Sequence, residues 1–148
     1  MQTIINSLKK NKYKKIKFKI SSTNHITIKA SINGIIGDFI LDTGASSSCV
    51  SSLDIDFFNL TAIESDTKAS GAGSSGMITQ MAKNNTLKIG KWKSKNTDLI
   101  ILDLSHVNNA LTQYKAKTIH GIIGADVLQK GMAIIDYHNK HIYLNHKK

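Results

Sequence analysis

Asp42-Thr43-Gly44 places a carboxylate, a hydroxyl and a glycine directly after an apolar run. The preceding Phe39-Ile40-Leu41 predicts a strand buried on both faces, so Asp42 lies where the strand gives way to a loop. A carboxylate at this position requires hydrogen bonds or a partner charge, because burying an unpaired charge is costly. Two such carboxylates side by side can activate water for hydrolysis, whereas a single one can simply shape the loop as an Asx-turn.

A second segment with a distinctive order of residues lies far downstream, between Ile119 and Leu128. It contains Ile122-Ile123-Gly124-Ala125-Asp126, in which two apolar residues are followed by glycine, alanine and an acid. In this order the two segments resemble the catalytic loop and the later glycine-bearing stretch of the retropepsin-like aspartic proteases. The resemblance covers roughly His25 to Leu144, and the ordered pair is more specific than Asp-Thr-Gly alone.

The resemblance implies an all-β, mainly antiparallel fold: a retropepsin-like closed β-barrel, the acid-protease fold, with one or two short helices. It implies that Asp42 is the catalytic residue and that Thr43 and Gly44 support the catalytic loop. The substrate would be an extended peptide or protein segment, and the residues implied to contact it are Ala45, Gly71, Ala72, Gly73 and Ile122. Hydrolysis by two aspartates and a water needs no metal and no cofactor, and we expect none.

A single chain of this length supplies only one of the two aspartates. Its 148 residues predict one domain without a second lobe, and no other Asp-Thr-Gly or Asp-Ser-Gly occurs. The segment most similar to this motif, Leu102-Asp103-Leu104-Ser105, lacks the glycine. We therefore expect a symmetric homodimer, in which a second copy supplies the second Asp42, acting as an aspartic endopeptidase. The alternative is a catalytically silent retropepsin-like dimerisation or peptide-binding module, since a fold does not guarantee its chemistry.

The chain is strongly basic, with 20 Lys+Arg against 10 Asp+Glu and a formal net charge of +10. Many of the lysines fall near the start: Lys9, Lys10, Lys12, Lys14, Lys15, Lys17 and Lys19. We expect residues 1–13 to form a basic arm and residues 14–148 a single domain, with lysines that discourage edge-to-edge strand pairing. A nucleic-acid-associated processing unit is the competing interpretation. Apart from Tyr13 and Phe18, no aromatic residue interleaves the lysines to stack bases, and we do not expect nucleic-acid binding.

The cysteine and histidine positions and the hydropathy of the chain argue against a cysteine nucleophile, a metal site and a membrane-spanning segment. Cys49 is the only cysteine, so no intramolecular disulfide can form, and we expect a small buried residue and not a nucleophile. His138, His141 and His146 lie near one another in sequence, but two of them straddle a hairpin turn and no cysteine or acidic ligand completes a metal site, so we expect exposed histidines. No stretch is long and apolar enough for a signal peptide or a transmembrane helix, which predicts a cytoplasmic protein without membrane contact.

Alternating apolar and polar residues predict the strands that deliver Asp42 to its loop. Lys14 to Ile20 and His25 to Ile32 both alternate in this way. Asn33-Gly34 is a strong hairpin signal, because both residue types tolerate positive φ. Gly34 to Leu41 is then the antiparallel return strand, and Asp42 lies at its end.

A glycine-rich hairpin is predicted to close over the site. Ala62 to Ser70 and Met77 to Ala82 are extended, and Gly71 to Gly76 forms a tip that can move as a lid, like the flap of the family that the chain resembles. A phosphate loop is excluded because no Gly-Lys-Ser/Thr ends the stretch, while a plain linker stays the competing interpretation. Leu53 to Leu60 is a brief helical turn or an irregular connection, and the sequence does not decide between them.

The C-terminal half supplies the rest of the predicted barrel. Trp92 is expected to be a packing anchor and Leu99 to Leu102 a central strand. The remaining predicted elements are a helix from Val107 to Tyr114 capped by Ser105, a buried strand from Ile119 to Ile123, a helical turn from Ala125 to Lys130 closed by Gly131, and final strands from Met132 to Tyr137 and from His141 to Leu144.

The sequence also allows predictions for two residues near the motifs, Asp126 and Ala45. Asp126, one residue into its helix, is expected to accept hydrogen bonds from free amide groups. Ala45 stands where some relatives of the resembled family place a serine whose hydroxyl bonds the catalytic carboxylate. Because alanine removes that donor, we expect activity at mildly acidic to near-neutral pH.

Overall fold

The computed structural model describes residues 1–69 and 77–146. Its helices and strands are, in chain order, α1 (Gln2–Lys10), β1 (Lys14–Lys17), β2 (Lys19–Ile20), β3 (Ile26–Ile32), β4 (Ile35–Leu41), β5 (Cys49–Ser51), β6 (Ala62–Ala69), β7 (Met77–Ile89), β8 (Trp92–Leu102), α2 (Ser105–Gln113), β9 (Gly121–Ile123), α3 (Ala125–Lys130), β10 (Ile134–Asp136) and β11 (His141–Leu144). A 3₁₀ turn at Ser52–Asp54 and further turns up to Asn59 occupy the region that the sequence left undecided. No helix in the described part of the chain is long and apolar enough to cross a membrane.

Eight of the strands form one sheet that closes on itself. Their order is β2-β3-β4-β9-β5-β8-β7-β6. An additional pairing of β3 with β7 closes six of them, β3, β4, β9, β5, β8 and β7, into a barrel. Most neighbours are antiparallel, whereas β4 and β9, and also β5 and β8, are parallel. The other three strands form an antiparallel sheet in the order β1-β11-β10. The predicted all-β, mainly antiparallel closed barrel is confirmed.

The hairpin of β3 and β4 delivers Asp42 as predicted. The two strands pair in register up to the turn, where Asn33 and Gly34 adopt positive φ values of 53° and 86°. Positive φ at both central residues is typical of a type I′ turn, whose twist matches that of the flanking strands. The Asn33 side chain also donates a hydrogen bond to the Phe58 carbonyl at 3.1 Å, which ties the turn to the body of the barrel.

Side chains of the central strands alternate between two hydrophobic clusters on opposite faces. The larger cluster fills the barrel and includes Leu41 of β4 and Ile123 of β9. Trp92 is fully buried in it, and its Nε1–H donates to the Asn145 carbonyl at 2.9 Å, which confirms its role as a packing anchor. The smaller cluster lies between the sheet and α2, and its buried members are Ile40, Cys49, Ile100, Leu104, Leu111, Ile119 and Ile122.

Three helices are present in the described residues, where one or two were expected. The additional helix is α1, which lies inside the predicted basic arm and buries Leu8 while Met1 and Ile4 stay exposed. Ile4, Ile5 and Leu8 do follow a helical period, and the adjacent run of lysines obscures it. The division into an arm of residues 1–13 and a domain of residues 14–148 stays a prediction.

The second helix, α2, begins at Ser105 instead of Val107, and the predicted cap is wrong. Its cap residue is Leu104, whose side chain makes no capping bond. The Asp103 carboxylate instead accepts hydrogen bonds from the Ser105 hydroxyl and from the Ser105 N–H, which hold the pKa of Asp103 below its usual value. The negative charge of Asp103 also interacts favourably with the positive, N-terminal end of the dipole of α2. The third helix has the predicted bounds, with Gly131 as its C-terminal cap.

Gly121→Ala should destabilise the barrel strongly. A Cβ atom at this position would lie 2.3 Å from the Cys49 carbonyl oxygen and 2.8 Å from the Phe39 ring, and the backbone of a central strand cannot move aside cheaply. We expect a loss of about 3 kcal/mol or more in the free energy of unfolding, measured by urea denaturation.

Gly131→Ala is the matched control for this substitution. Its Cβ atom would meet only side chains, with the end of Leu144 nearest at 2.7 Å, and its φ of −85° suits any residue. We expect a loss of about 1 kcal/mol, because a side-chain end can shift where a backbone carbonyl cannot. Equal losses in the two variants would contradict the close approach of β9 to β5.

Candidate active site

The Asp42 carboxylate is exposed at the end of a buried strand. Phe39-Ile40-Leu41 is buried, whereas Asp42, Thr43 and Gly44 are all exposed. The Asp42 N–H donates to the Ile123 carbonyl at 2.9 Å, so the contact between β4 and β9 extends to the residue that carries the carboxylate. Asp42 Oδ1 accepts the Gly44 N–H at 2.9 Å, which is the bond of an Asx-turn. The backbone of Asp42 is therefore fixed while its side chain lies at the surface.

The loop after Asp42 packs against the segment that joins β9 to α3. The Ala125 N–H donates to the Ala45 carbonyl at 2.7 Å. A Cβ atom at Gly124 would lie 2.5 Å from the same carbonyl oxygen, so only glycine permits this approach. This close approach brings the two sequence motifs into contact.

A hydrogen-bond network between Ser48 and Asp126 holds the end of this loop. The Asp126 carboxylate accepts the Ser48 hydroxyl at 2.7 Å, the Ser48 N–H at 3.0 Å and the Val127 N–H at 2.8 Å. The buried Ser48 hydroxyl in turn accepts the Gly124 N–H at 2.8 Å. The amide-binding role predicted for Asp126 is confirmed. The sequence did not single out Ser48, because the run Ser46 to Ser48 gives no sign of which hydroxyl is buried.

Ser48→Ala removes the acceptor of a buried N–H group. We expect a loss of about 1–3 kcal/mol in the free energy of unfolding, because the Gly124 amide is left without a partner and Asp126 loses one donor. Ser47→Ala, at the exposed neighbouring serine, should change the free energy by less than about 0.5 kcal/mol. Urea denaturation of both variants measures the difference, and a Ser48→Ala protein as stable as the wild type would show that the network is dispensable.

Ile122 lies beneath α2 and is only 7% exposed. In the smaller hydrophobic cluster it packs with Ile40 of β4, with Leu111 of α2 and with Ile119. The helix therefore covers the position where the resemblance implies a substrate contact. The role of Ile122 as a substrate contact stays a prediction, and α2 would form a wall of any pocket at this position.

The other residues implied to contact substrate divide into two groups. Gly71, Ala72 and Gly73 lie outside the described residues. The strands on either side of them, β6 and β7, pair antiparallel with one shift in register, as predicted for a flap hairpin. Ala45 is half-buried in the loop that follows Asp42.

A shallow concavity of about 320 Å³ lies beside the Asp42 loop. It is bordered by Thr43 and by residues of α3 and the following segment: Ala125, Leu128, Gln129, Met132, Ala133 and Ile135. Most of these side chains are apolar, and the concavity borders the loop that carries the carboxylate.

Cys49 has the buried position that was predicted for it, at 5% exposure. Burial raises the pKa of the Cys49 thiol to about 12, so the sulfur stays protonated near neutral pH. The residue is a packing group of the smaller cluster and not a nucleophile.

Asp38 ties the β3–β4 hairpin to the connection that follows α2. Its carboxylate pairs with Lys29 and, at 3.2 Å, with Lys117. Its N–H donates to Nδ1 of His120 at 2.9 Å. Partial burial acts to raise the pKa of Asp38, but the hydrogen bonds from the two lysines outweigh it and hold the pKa below its usual value.

Asp38→Asn should lower stability in a pH-dependent way. Because the folded pKa of Asp38 lies below the unfolded one, its contribution is present above about pH 4 and is lost as the pH falls through the folded value. We expect Asp38→Asn to lower the free energy of unfolding by less than about 1 kcal/mol at about pH 6, since solvent screens the pairs, and by less still toward about pH 2.

The exposed Asp56, which has no ion pair among the described residues, provides the control. Urea denaturation across pH should show no such trend for Asp56→Asn. The ion pairs of Asp38 would be contradicted if the difference in free energy of unfolding between the wild type and Asp38→Asn grew as the pH was lowered.

Comparisons with known proteins give one family model and several similar folds. The family model described as Aspartyl protease matches residues 28–127, which is more than half of the chain. No sequence among curated proteins matches the chain at a significant level.

Three solved structures share the architecture. A retropepsin-like aspartic protease from Rickettsia conorii is similar with a TM-score of 0.59 and 20% identity, over 91% of this chain and 92% of that chain. The EIAV protease in complex with the inhibitor HBY-793 is similar with a TM-score of 0.52 and 21% identity, over 71% of this chain and 86% of that chain. The retroviral protease-like domain of Ddi1 from Leishmania major has a TM-score of 0.55 and 12% identity, over 81% and 87%. At these identities the likeness shows the fold, which is retropepsin-like as expected.

Proposed function

From the premise that this chain belongs to the aspartyl protease family, we propose that it is an aspartic endopeptidase that acts as a homodimer. Two Asp42 carboxylates, one from each copy, would activate a water molecule for the hydrolysis of a peptide bond. The observation that carries this proposal is the position of Asp42, whose backbone is fixed by β9 while its carboxylate lies exposed at the surface. A group held in this way is placed to meet a partner across an interface.

The need for a second copy follows from the chemistry and from the sequence. One carboxylate cannot serve at the same time as the base that accepts a proton from water and as the acid that donates a hydrogen bond to the substrate carbonyl. The chain has no second Asp-Thr-Gly or Asp-Ser-Gly. The exposed Thr43 and Gly44, together with the apolar concavity beside Thr43, offer a surface on which a second copy can pack.

In such a dimer the two carboxylates would share one proton, because two negative charges about 3 Å apart cannot both form cheaply. The charged carboxylate would take a proton from the water as it attacks the scissile carbonyl carbon. The protonated carboxylate would donate a hydrogen bond to the oxygen on which negative charge develops.

The surrounding residues would position the aspartates and the substrate. Thr43 of each copy would bond to the loop of the other, and Gly44 would present its carbonyl to the peptide backbone. The substrate would bind as an added extended strand between the flap residues Gly71 to Gly73 and a floor that includes Ala45 and Ile122.

A second function is favoured by one specific observation. The Asp42 carboxylate already has a structural partner within its own loop, the Gly44 N–H at 2.9 Å. An aspartate retained for this bond alone would serve a catalytically silent dimerisation or peptide-binding module. The two functions differ in what the loss of the Asp42 charge does.

Asp42→Asn should abolish peptide hydrolysis without unfolding the protein. The amide oxygen of asparagine can still accept the Gly44 N–H, so the loop is retained, but the dyad loses the group that carries the charge. We expect the rate of cleavage of a mixed peptide library to fall by about 1,000-fold or more, measured by mass spectrometry across pH.

Asp56→Asn is the matched control, because it removes one exposed carboxylate outside the loop. It should leave cleavage unchanged. Cleavage that survives in Asp42→Asn would overturn the assignment of the catalytic aspartate. Peptide binding without cleavage by the wild type at any pH would favour the catalytically silent module.

A further inference from the structure

A cavity of about 570 Å³ opens on the outer side of the β3–β4 hairpin, and the catalytic proposal makes no use of it. Its lining comes from four separate parts of the chain: residues 16–22, the β3–β4 hairpin, Gly90 in the turn between β7 and β8, and residues 111–119 at and after the end of α2. The cavity begins close to the catalytic loop. Ile40 lines it, and Asp42 follows two positions later, just past the end of β4, so the two residues lie about 7 Å apart along the chain.

The floor of the cavity is apolar and its rim is basic. The floor residues are each less than 9% exposed: Ile16, Phe18, Ile28, Ile40, Leu111 and Ile119. Five lysines line the cavity, namely Lys17, Lys19, Lys29, Lys115 and Lys117, against a single carboxylate, Asp38. We call this site the lysine-rimmed cavity.

Three of the five rim lysines have no carboxylate partner among the described residues. Asp38 pairs with Lys29 and Lys117, while no carboxylate in the described part of the chain pairs with Lys17, Lys19 or Lys115. Apolar walls beneath a basic rim suit a ligand that combines apolar groups with negative charge, because exposed lysines attract negative charge most strongly at low salt.

The backbone around the cavity favours an extended polypeptide over a lipid. β2, which contributes Lys19 and Ile20, is an edge strand of the large sheet, and among the described strands it pairs only with β3. On the opposite wall, the N–H and C=O groups of Lys117 and Thr118 make no hydrogen bond with any described residue. Peptide groups can satisfy such donors and acceptors by strand addition, whereas an alkyl chain cannot.

We propose that the lysine-rimmed cavity binds an acidic, apolar segment of the polypeptide substrate, in extended form, within about four residues of the bond that is cut. This inference rests on the proposed function, because it assigns the segment to the substrate of the same enzyme. Acidic side chains of the segment contact Lys17, Lys19 and Lys115, and its apolar side chains occupy the floor beside Ile40.

The test measures binding apart from cleavage. The Asp42→Asn variant of the 148-residue chain is titrated against fluorescent ten-residue peptides by anisotropy, at low and at moderate salt. One peptide alternates Glu with Leu and Phe, and the matched peptide carries Gln at every Glu position. We expect the acidic peptide to bind at least about tenfold more tightly at low salt, with a difference that shrinks as salt is added.

Two sets of variants in the Asp42→Asn background locate the binding site. The triple variant Lys17→Gln, Lys19→Gln, Lys115→Gln should weaken the acidic peptide by about tenfold, whereas Lys9→Gln, Lys10→Gln, Lys12→Gln removes the same charge from the arm and should leave binding unchanged. Ala116→Trp keeps every lysine but fills the cavity, and it should weaken both peptides.

The outcomes separate the failure of this inference from failure of the proposed function. Equal binding of the two peptides, equal effects of the two triple variants, or displacement of the peptide by dodecanoate at lower concentration than by unlabelled peptide would each overturn the cavity proposal. Selective acidic-peptide binding that maps to the cavity, in a protein whose wild type cuts no peptide, would leave the cavity as a peptide site and overturn the protease.

Discussion

The Asp126 carboxylate and the Ser48 hydroxyl form the interaction on which the candidate site depends. Together they join the end of the Asp42 loop to the start of α3 through three hydrogen bonds, one of which satisfies the amide of Gly124, while Asp126 also accepts the N–H of Val127 within the helix. The same segment approaches Ala45 so closely that no side chain fits at Gly124. Because the loop is held from its far side, the carboxylate of Asp42 can stay exposed without the loop losing its shape.

The structure places α2 over the cluster that contains Ile40 and Ile122, on the side of the sheet where substrate is expected. The helix therefore leaves Ile122 almost without exposed surface. Beyond the end of α2 the chain runs without regular structure along the lysine-rimmed cavity, and Asp38 fastens this connection to the hairpin through Lys117. α2 and the connection after it thus cover Ile122 and also line the lysine-rimmed cavity.

Local signals in the sequence were sufficient for the parts of the fold that depend on few residues. The β3–β4 turn follows from Asn33-Gly34, and α3 follows from an acid near its start and Gly131 at its end. Tertiary contacts decide the rest. Nothing in the sequence indicates that Ser48 is the buried serine of its run or that α2 covers Ile122. The lysine-rimmed cavity combines segments that are far apart in the chain, so no local pattern could reveal it.

Mixing wild-type and Asp42→Asn chains tests most directly whether two copies share one active site. The total protein concentration is held constant, the chains are allowed to exchange, and the cleavage rate is measured against the fraction of wild-type chains. If each site needs an Asp42 from both copies, random pairing makes the rate follow the square of that fraction, so an equal mixture retains about one quarter of the activity. An equal mixture that retains about one half would show that each copy cuts alone and would contradict a shared pair of aspartates.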